Sequence, residues 1–482
     1  MQNNKKKKSK GKRKYMAWKK LEKNQKEVAK RVTWGDYELV STSGWGFLDD
    51  FLLFLRQLGV LDLFDTPGEG YQRKMIPPFL TLLTYGVKIL LGIERMNQTP
   101  EFLFKDIGLL KLIGFTYRQI KRGFSDRGGR MEGPLHKNTL ADVLEKLSVE
   151  EVTFLFNEAI KKFAPPKLKL LGRVYVLDAT DLVTTEKYPG CGQRTMEKDG
   201  KEVTEYGYKL LMVWDVVNRI PVAAKIVQIQ EHEAPFTLEM LDLARANTGE
   251  QIDVLALDRG FISGSTLHKI KHSYGIDFII PARKDMLVAA DARGLYHLTE
   301  KHESEEADVH GVADLLSYEE YAGETQAPIN AIVVTRWKKK VYDQGDENVL
   351  LTSLPVDKPL KGLKLYGLRT LVENQGFREL KQGWHLNKFP KKSYNAVVAH
   401  VFLTLLMCAT TSAYRSKEGQ RIKEKGIRRY RRENLTMHKI IIVADDYYGI
   451  FDIEEFSILV GNPPKYFMRT DPAAFKKAYG LT

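Results

Sequence analysis

Apolar residues recur at helical spacing between about residues 44 and 165. Phe47, Phe51, Leu52, Leu55 and Leu58 form one stripe; Phe79, Leu82, Leu83, Val87, Leu90 and Leu91 form a second. Ser148 and Glu151 have the spacing of a capping box, which predicts a further helix ending near Phe163. Pro165 and Pro166 then stop it. The region 41–166 therefore reads as a helical domain.

Beyond 166 the period changes to that of strands. Val174–Leu177 is a short buried-type strand closed by Asp178, and 206–216 with 221–228 flank Val217-Asn218-Arg219-Ile220 as a hairpin. Helix at 235–246, strand at 253–257 closed by Asp258, helix at 263–272 and strand at 277–280 follow. This order describes an α/β domain with a mixed sheet over 167–284. From 285 to 356 the rhythm breaks. An acidic stretch, Glu300 to Asp308, leads to strand-like runs at 331–337 and 348–353, and the region reads as an all-β insertion. Helical periodicity returns over 357–414. The apolar run Ala396 to Tyr414 contains His400 and four Thr or Ser, which favours a buried core helix over a membrane span. The last segment, 415–482, opens with nine basic and three acidic residues between Arg415 and Glu433 and closes with a small apolar tail.

At 482 residues the chain suggests two to four domains, and 43% hydrophobic residues exclude global disorder. The net charge of +14 is unevenly placed: residues 1–31 hold fourteen Lys or Arg against two Glu. Lys5 to Lys8, Lys10, Lys12, Arg13 and Lys14 repel one another, so 1–40 is expected to be a flexible basic arm that binds phosphates without reading sequence. Cys191 and Cys408 are too few for a zinc-thiolate site or a disulfide framework. No signal-peptide core follows the basic start, and a soluble cytoplasmic protein is expected, with no membrane partner.

Two aspartates, Asp178 and Asp258, close predicted central strands, where open α/β sheets place functional groups. Each alone equally describes a turn or cap. With a third acid they would make a hard-cation site, because carboxylate oxygens suit magnesium or manganese. Glu373 is that candidate: Tyr366, Arg369 and Glu373 fall at i, i+3 and i+7, on one helical face. A solvated helix with an i,i+4 ion pair has the same pattern. Trp337, inside Arg336-Trp337-Lys338-Lys339-Lys340, is an aromatic among cations suited to stacking on a displaced base; a half-buried hairpin tryptophan is the plainer account. His232 reads as a surface-loop residue, and Thr180 and Asp181 either orient Asp178 or simply make a turn.

Together, Asp178, the Asp258-Arg259-Gly260-Phe261 run, the helix Tyr366…Arg369…Glu373 with Phe377, Leu380 and Lys381, and the β-rich insertion resemble the IS-four group of insertion-sequence DDE transposases. The resemblance covers roughly 170–412 and, by analogy only, the helical region 41–166, which it implies is a DNA-binding domain. It implies an RNase H-like domain, a metal-binding triad of Asp178, Asp258 and Glu373, and Tyr366, Arg369 and Lys381 as the accompanying signature, whose basic members contact transposon-end phosphates. It further implies two Mg2+ ions (Mn2+ as substitute), inverted-repeat ends and target DNA as partners, a homodimer assembled on DNA at the nucleoid, and cut-and-paste movement by cleavage and strand transfer. An RNase H-like nuclease without strand transfer, or a domesticated DNA-binding protein, shares much of this pattern. Seven residues separate Glu373 from Lys381, where the family usually has six. On an ideal helix i+8 lies roughly 80° from Glu373's face, so either a π-bulge near Gly376 restores the register, or a long side chain reaches around, or Arg378 substitutes for Lys381.

Overall fold

The computed structural model describes residues 21–481 apart from 46, 68–75, 125–132, 199, 344, 419–424, 436–438 and 464–467. The Lys5–Lys14 cluster lies outside the described residues.

Two compact units result. The first comprises residues to 56, 61–147 and 429–482. Its sheet has four strands, in the order Glu22–Lys23, Tyr447–Phe451, Lys439–Ala444, Leu39–Ser43. The helix Gln25–Thr33 lays Val28, Ala29 and Val32 against Ile440, Ile442 and Phe451, with Ile458, Leu459 and Phe475 of the last helices in the same core. The expected arm over 1–40 is therefore too long: residues from 21 onward are folded. The expected C-terminal segment likewise divides, since 429–482 completes this sheet. Charge composition described the surface of these segments and missed the apolar stripe beneath it.

The second unit holds 57–60 and 148–428. Ser148 and Glu151 form the expected capping box, and the helix Val149–Lys161 sets Phe156 edge-on to Phe402 at 5.5 Å. The boundary thus falls before this helix rather than after it. Helix Tyr394–Glu418 is long and apolar enough to cross a membrane, but 94% of its most apolar window is buried inside the protein, as a core helix requires.

The eleven-stranded sheet of this unit is mixed α/β and RNase H-like. Its strands, numbered within the sheet, are β1 Val174–Thr184, β2 Gly192–Lys198, β3 Lys201–Asp215, β4 Ile220–Gln228, β5 Val254–Leu257, β6 Asp277–Pro281, β7 Lys301–Glu303, β8 Ala307–Leu315, β9 Ile329–Trp337, β10 Lys340–Val341 and β11 Asn348–Thr352. The order is β2-β3-β1-β5-β6-β11-β9-β8-β7, with β4 beside β3 and β10 beside β9. Strands dominate the insertion, joined by the helices Leu287–Leu295 and Glu319–Ala322, and β11 pairs antiparallel with β6, so the insertion extends the central sheet.

The β3–β4 turn is pinned by Asp215, which is fully buried and accepts from the backbone N–H groups of Gly172 (2.6 Å), Val217 (2.9 Å) and Asn218 (3.1 Å) and from the Asn218 side chain (3.1 Å). Asp215→Ala would leave these donors unpaired and should cost about 3 kcal/mol, read as a lowered urea midpoint.

Candidate active site

Parallel pairing of β1 with β5 aligns Leu177 with Leu257, so Asp178 and Asp258 follow side by side in adjacent central strands. β5 ends there as expected. β1 does not: it runs on to Thr184, paired with β3 as far as Tyr206. Past Leu177 the strand has lost its four-residue parallel partner but keeps a fifteen-residue antiparallel one. Asp178 is consequently buried within a strand, 6% exposed, whereas the Asp258 side chain is 42% and that of Glu373 52% exposed.

Glu373 comes from the helical run 359–382, which contains a π-helical turn at Val372–Phe377. There the Arg378 N–H donates to the Glu373 carbonyl, five residues back. The irregularity anticipated near Gly376 is thus present. Glycine is not sterically demanded, since a Cβ at 376 would meet Val372 at an ordinary 3.5 Å.

All three carboxylates converge on one atom. Arg369 Nη1 lies 3.3 Å from Asp178 Oδ2, 3.5 Å from Asp258 Oδ1 and 3.0 Å from Glu373 Oε1. The guanidinium also faces the Tyr366 ring at 5.9 Å, and among the described residues its Nε is buried without a hydrogen-bond partner. Burial pushes the Asp178 carboxyl up to about 7, the Ala179 N–H (2.8 Å) and Arg369 pull it down, and the charges of Asp258 and Glu373 add to the rise. Burial works against the Arg369 charge, but Tyr366 and the three carboxylates outweigh it and raise its pKa. Burial likewise raises Tyr366.

Lys381 is half-buried, with a pKa lowered by burial and partly restored by Asp181, three residues beyond Asp178 in β1. Asp181 is also paired with Arg194 at 2.6 Å. The π turn therefore leaves Lys381 on the β1 side, near the triad's own strand. Arg378, the alternative to it, is exposed and lines a different groove, with Arg219 and Arg428. Trp337 is brought to the site, in a cavity of about 540 Å³ shared with Asp258, Tyr366 and Arg369. Tyr342 and Asn348 line the same cavity and were not anticipated. The signal for Tyr342 lay in the sequence: it belongs to the same aromatic-cation run, and Lys340 Nζ stands 5.3 Å from its ring centre. His232 is exposed as expected. Its neighbour Glu233, which was overlooked, pairs with Lys209 at 2.7 Å and abuts Gly260, where a Cβ would come within 2.9 Å of its Oε2.

Residues 169–410 match the family model of the transposase DDE domain. The chain belongs to that family. Membership makes DNA the partner of this transposase and DNA transposition its field of action, with divalent metal ions as the family's usual cofactor. No curated protein matches the sequence. Among solved structures, the transposase is similar to the piggyBac transposase synaptic complex with hairpin DNA, at a TM-score of 0.43 and 8% identity over 95% of this chain and 84% of that one.

The donor set fits a hard dication. Three carboxylates from two strands and one helix supply oxygen ligands only, and carboxylates packed this closely need positive charge among them. Here Arg369 supplies it, and among the described residues no three acidic, His or Cys side chains are grouped at the spacing of a single ion's ligands.

Proposed function

We propose that this transposase is of the IS-four group and moves its element by cut-and-paste, with Asp178, Asp258 and Glu373 as the catalytic triad. The observation that carries this is the meeting of the three carboxylates on Arg369 Nη1. These side chains would hold two Mg2+ ions, or Mn2+ in their place, which would supply Lewis-acid activation of a water or 3′-hydroxyl and charge stabilisation at the leaving 3′ oxygen. The chain's own groups do the rest. Arg369 is held one helical turn from Glu373 and presents a planar fork to a phosphate at the scissile position. Lys381 adds a second cation from the same helix. Trp337 and Tyr342 offer faces on which an unstacked base at the cleaved end can rest, a site suited to a hairpin intermediate. Since each chain carries one triad and an element has two ends, the working form is a homodimer assembled on DNA.

The test is DNA carrying the element's ends, incubated with the full chain and Mg2+. Metal-dependent cleavage at the ends followed by joining of a 3′ end to target is expected. Cleavage without joining would leave a nuclease, and binding with neither a DNA-binding protein. In the same assay Arg369→Ala should depress cleavage on the order of 10²-fold, well beyond its effect on nonspecific affinity. Arg369→Lys should not restore the rate, because an ammonium lacks the bidentate fork. If Arg369→Ala cleaves at the wild-type rate, the guanidinium has no part in the chemistry.

A further inference from the structure

We infer that the groove walled by Arg219, Arg378 and Arg428 is a second phosphate-binding site, distinct from the carboxylate centre, which takes the backbone of the bound DNA. The groove has a volume of about 260 Å³ and lies between the β3–β4 turn, the π segment with the helix after it, and the residues around Ile427. Three arginines line its walls. One carboxylate does too, that of Glu379, but its Oε1 is engaged by the Ile427 backbone N–H at 2.6 Å. Among the described residues Arg378 forms no ion pair, though it stands exposed on the helix. Arg428 is fixed by donating to the Gln382 carbonyl.

Two further observations point to a ligand. Arg219 has φ +58°, in the left-handed region where a non-glycine residue in a tight turn is strained, so the turn holds a long cation where glycine or asparagine would cost less. Gln375, from the π segment, reaches the groove with its Oε1 buried and, among the described residues, unpartnered. Three arginines and one glutamate on the walls of a groove leave a net positive lining that suits an oxyanion, and an arginine fork matches phosphate geometry bidentately. Asn374 and Gln375 line the groove directly after Glu373, so a strand seated there bears on the turn that carries the third carboxylate. That the phosphate belongs to DNA rests on family membership; which DNA, the transposon end or the target, rests on the cut-and-paste reading.

The experiment places single neutral methylphosphonate linkages along end DNA and along target DNA and measures affinity for the full chain. The variants are Arg378→Ala, on an exposed helical position, and Arg219→Gly, which suits the backbone of the turn. In the wild type, one or two linkages should each cost about tenfold in affinity, and those same linkages should cost less than about twofold in the variants. The DNA carrying the sensitive linkages identifies the source. Equal losses at every linkage in wild type and variants would overturn the site. A wild type that cleaves nothing yet shows the coupling would instead overturn the transposition reading and leave the site standing.

Discussion

Asp178→Asn should lower end cleavage by at least about 10³-fold while the protein folds and binds end DNA. The substitution keeps shape, and its side-chain oxygen can still accept from the Ala179 N–H. What it removes is the one deeply buried charge of the triad, which meets those of Asp258 and Glu373 on Arg369 Nη1. The same exchange should move stability the other way. In the folded protein Asp178 titrates near 7, against an ordinary value of 3.8, because burial disfavours its ionised form. Its contribution to stability is therefore complete below about pH 4 and is lost as pH rises through 7. Asparagine carries no such penalty. Thermal unfolding in the presence of EDTA at pH 8 should show the variant melting above the wild type, with the gap closing toward pH 4. A variant that cleaves at near wild-type rate would show that Asp178 is no ligand; one that melts lower at pH 8 would show that its carboxylate is better satisfied than its burial implies.

Local pattern carried much of this site. The aliphatic runs ending in Asp178 and Asp258, and the i, i+3, i+7 face of Tyr366, Arg369 and Glu373, are short-range features that follow from strand and helix periodicity. What stayed hidden depends on partners far away in sequence. β1 could not be seen to pass Asp178, because its extension depends on Lys201–Asp215 outrunning Val254–Leu257. Leu39–Ser43 straddles the expected end of the basic arm at 40 and shows no strand until Lys439–Ala444, some four hundred residues later, supplies its partner. Arg378 and Lys381 sit three residues apart on the helix beyond the π turn, yet Arg378 lines the groove with Arg219 and Arg428 while Lys381 feels Asp181, and the choice between a π turn and a reaching side chain was not decidable from spacing alone. Trp337 reached the site through the β8–β9–β11 pairing of the insertion, which no window around Arg336-Trp337-Lys338 could show.

Deleting Gly376 should leave end cleavage within about tenfold of wild type, whereas an alanine inserted after it should cost about 10³-fold. In α-helical geometry each residue turns the chain by about 100°, so Lys381, at i+8 from Glu373, would lie roughly 80° off its face. The π turn at Val372–Phe377 absorbs one residue and leaves Arg378–Gln382 helical beyond it. Removing one residue converts that turn to an ordinary one: the Arg378 N–H then finds the Glu373 carbonyl at four residues instead of five, and the lysine returns to the face at i+7. Phe377 and Leu380, both buried, keep their places, so the helix has no reason to shift. An insertion has no second π turn to absorb it. It rotates Phe377, Leu380 and Lys381 together, exposing the first two and carrying the cation away from β1. Single-turnover cleavage of end DNA, with circular dichroism to confirm folding, measures both. Should the deletion fold normally and cleave as poorly as Asp178→Asn, the π turn serves some need other than the register of Lys381, and the lysine's place beside the triad fails with it.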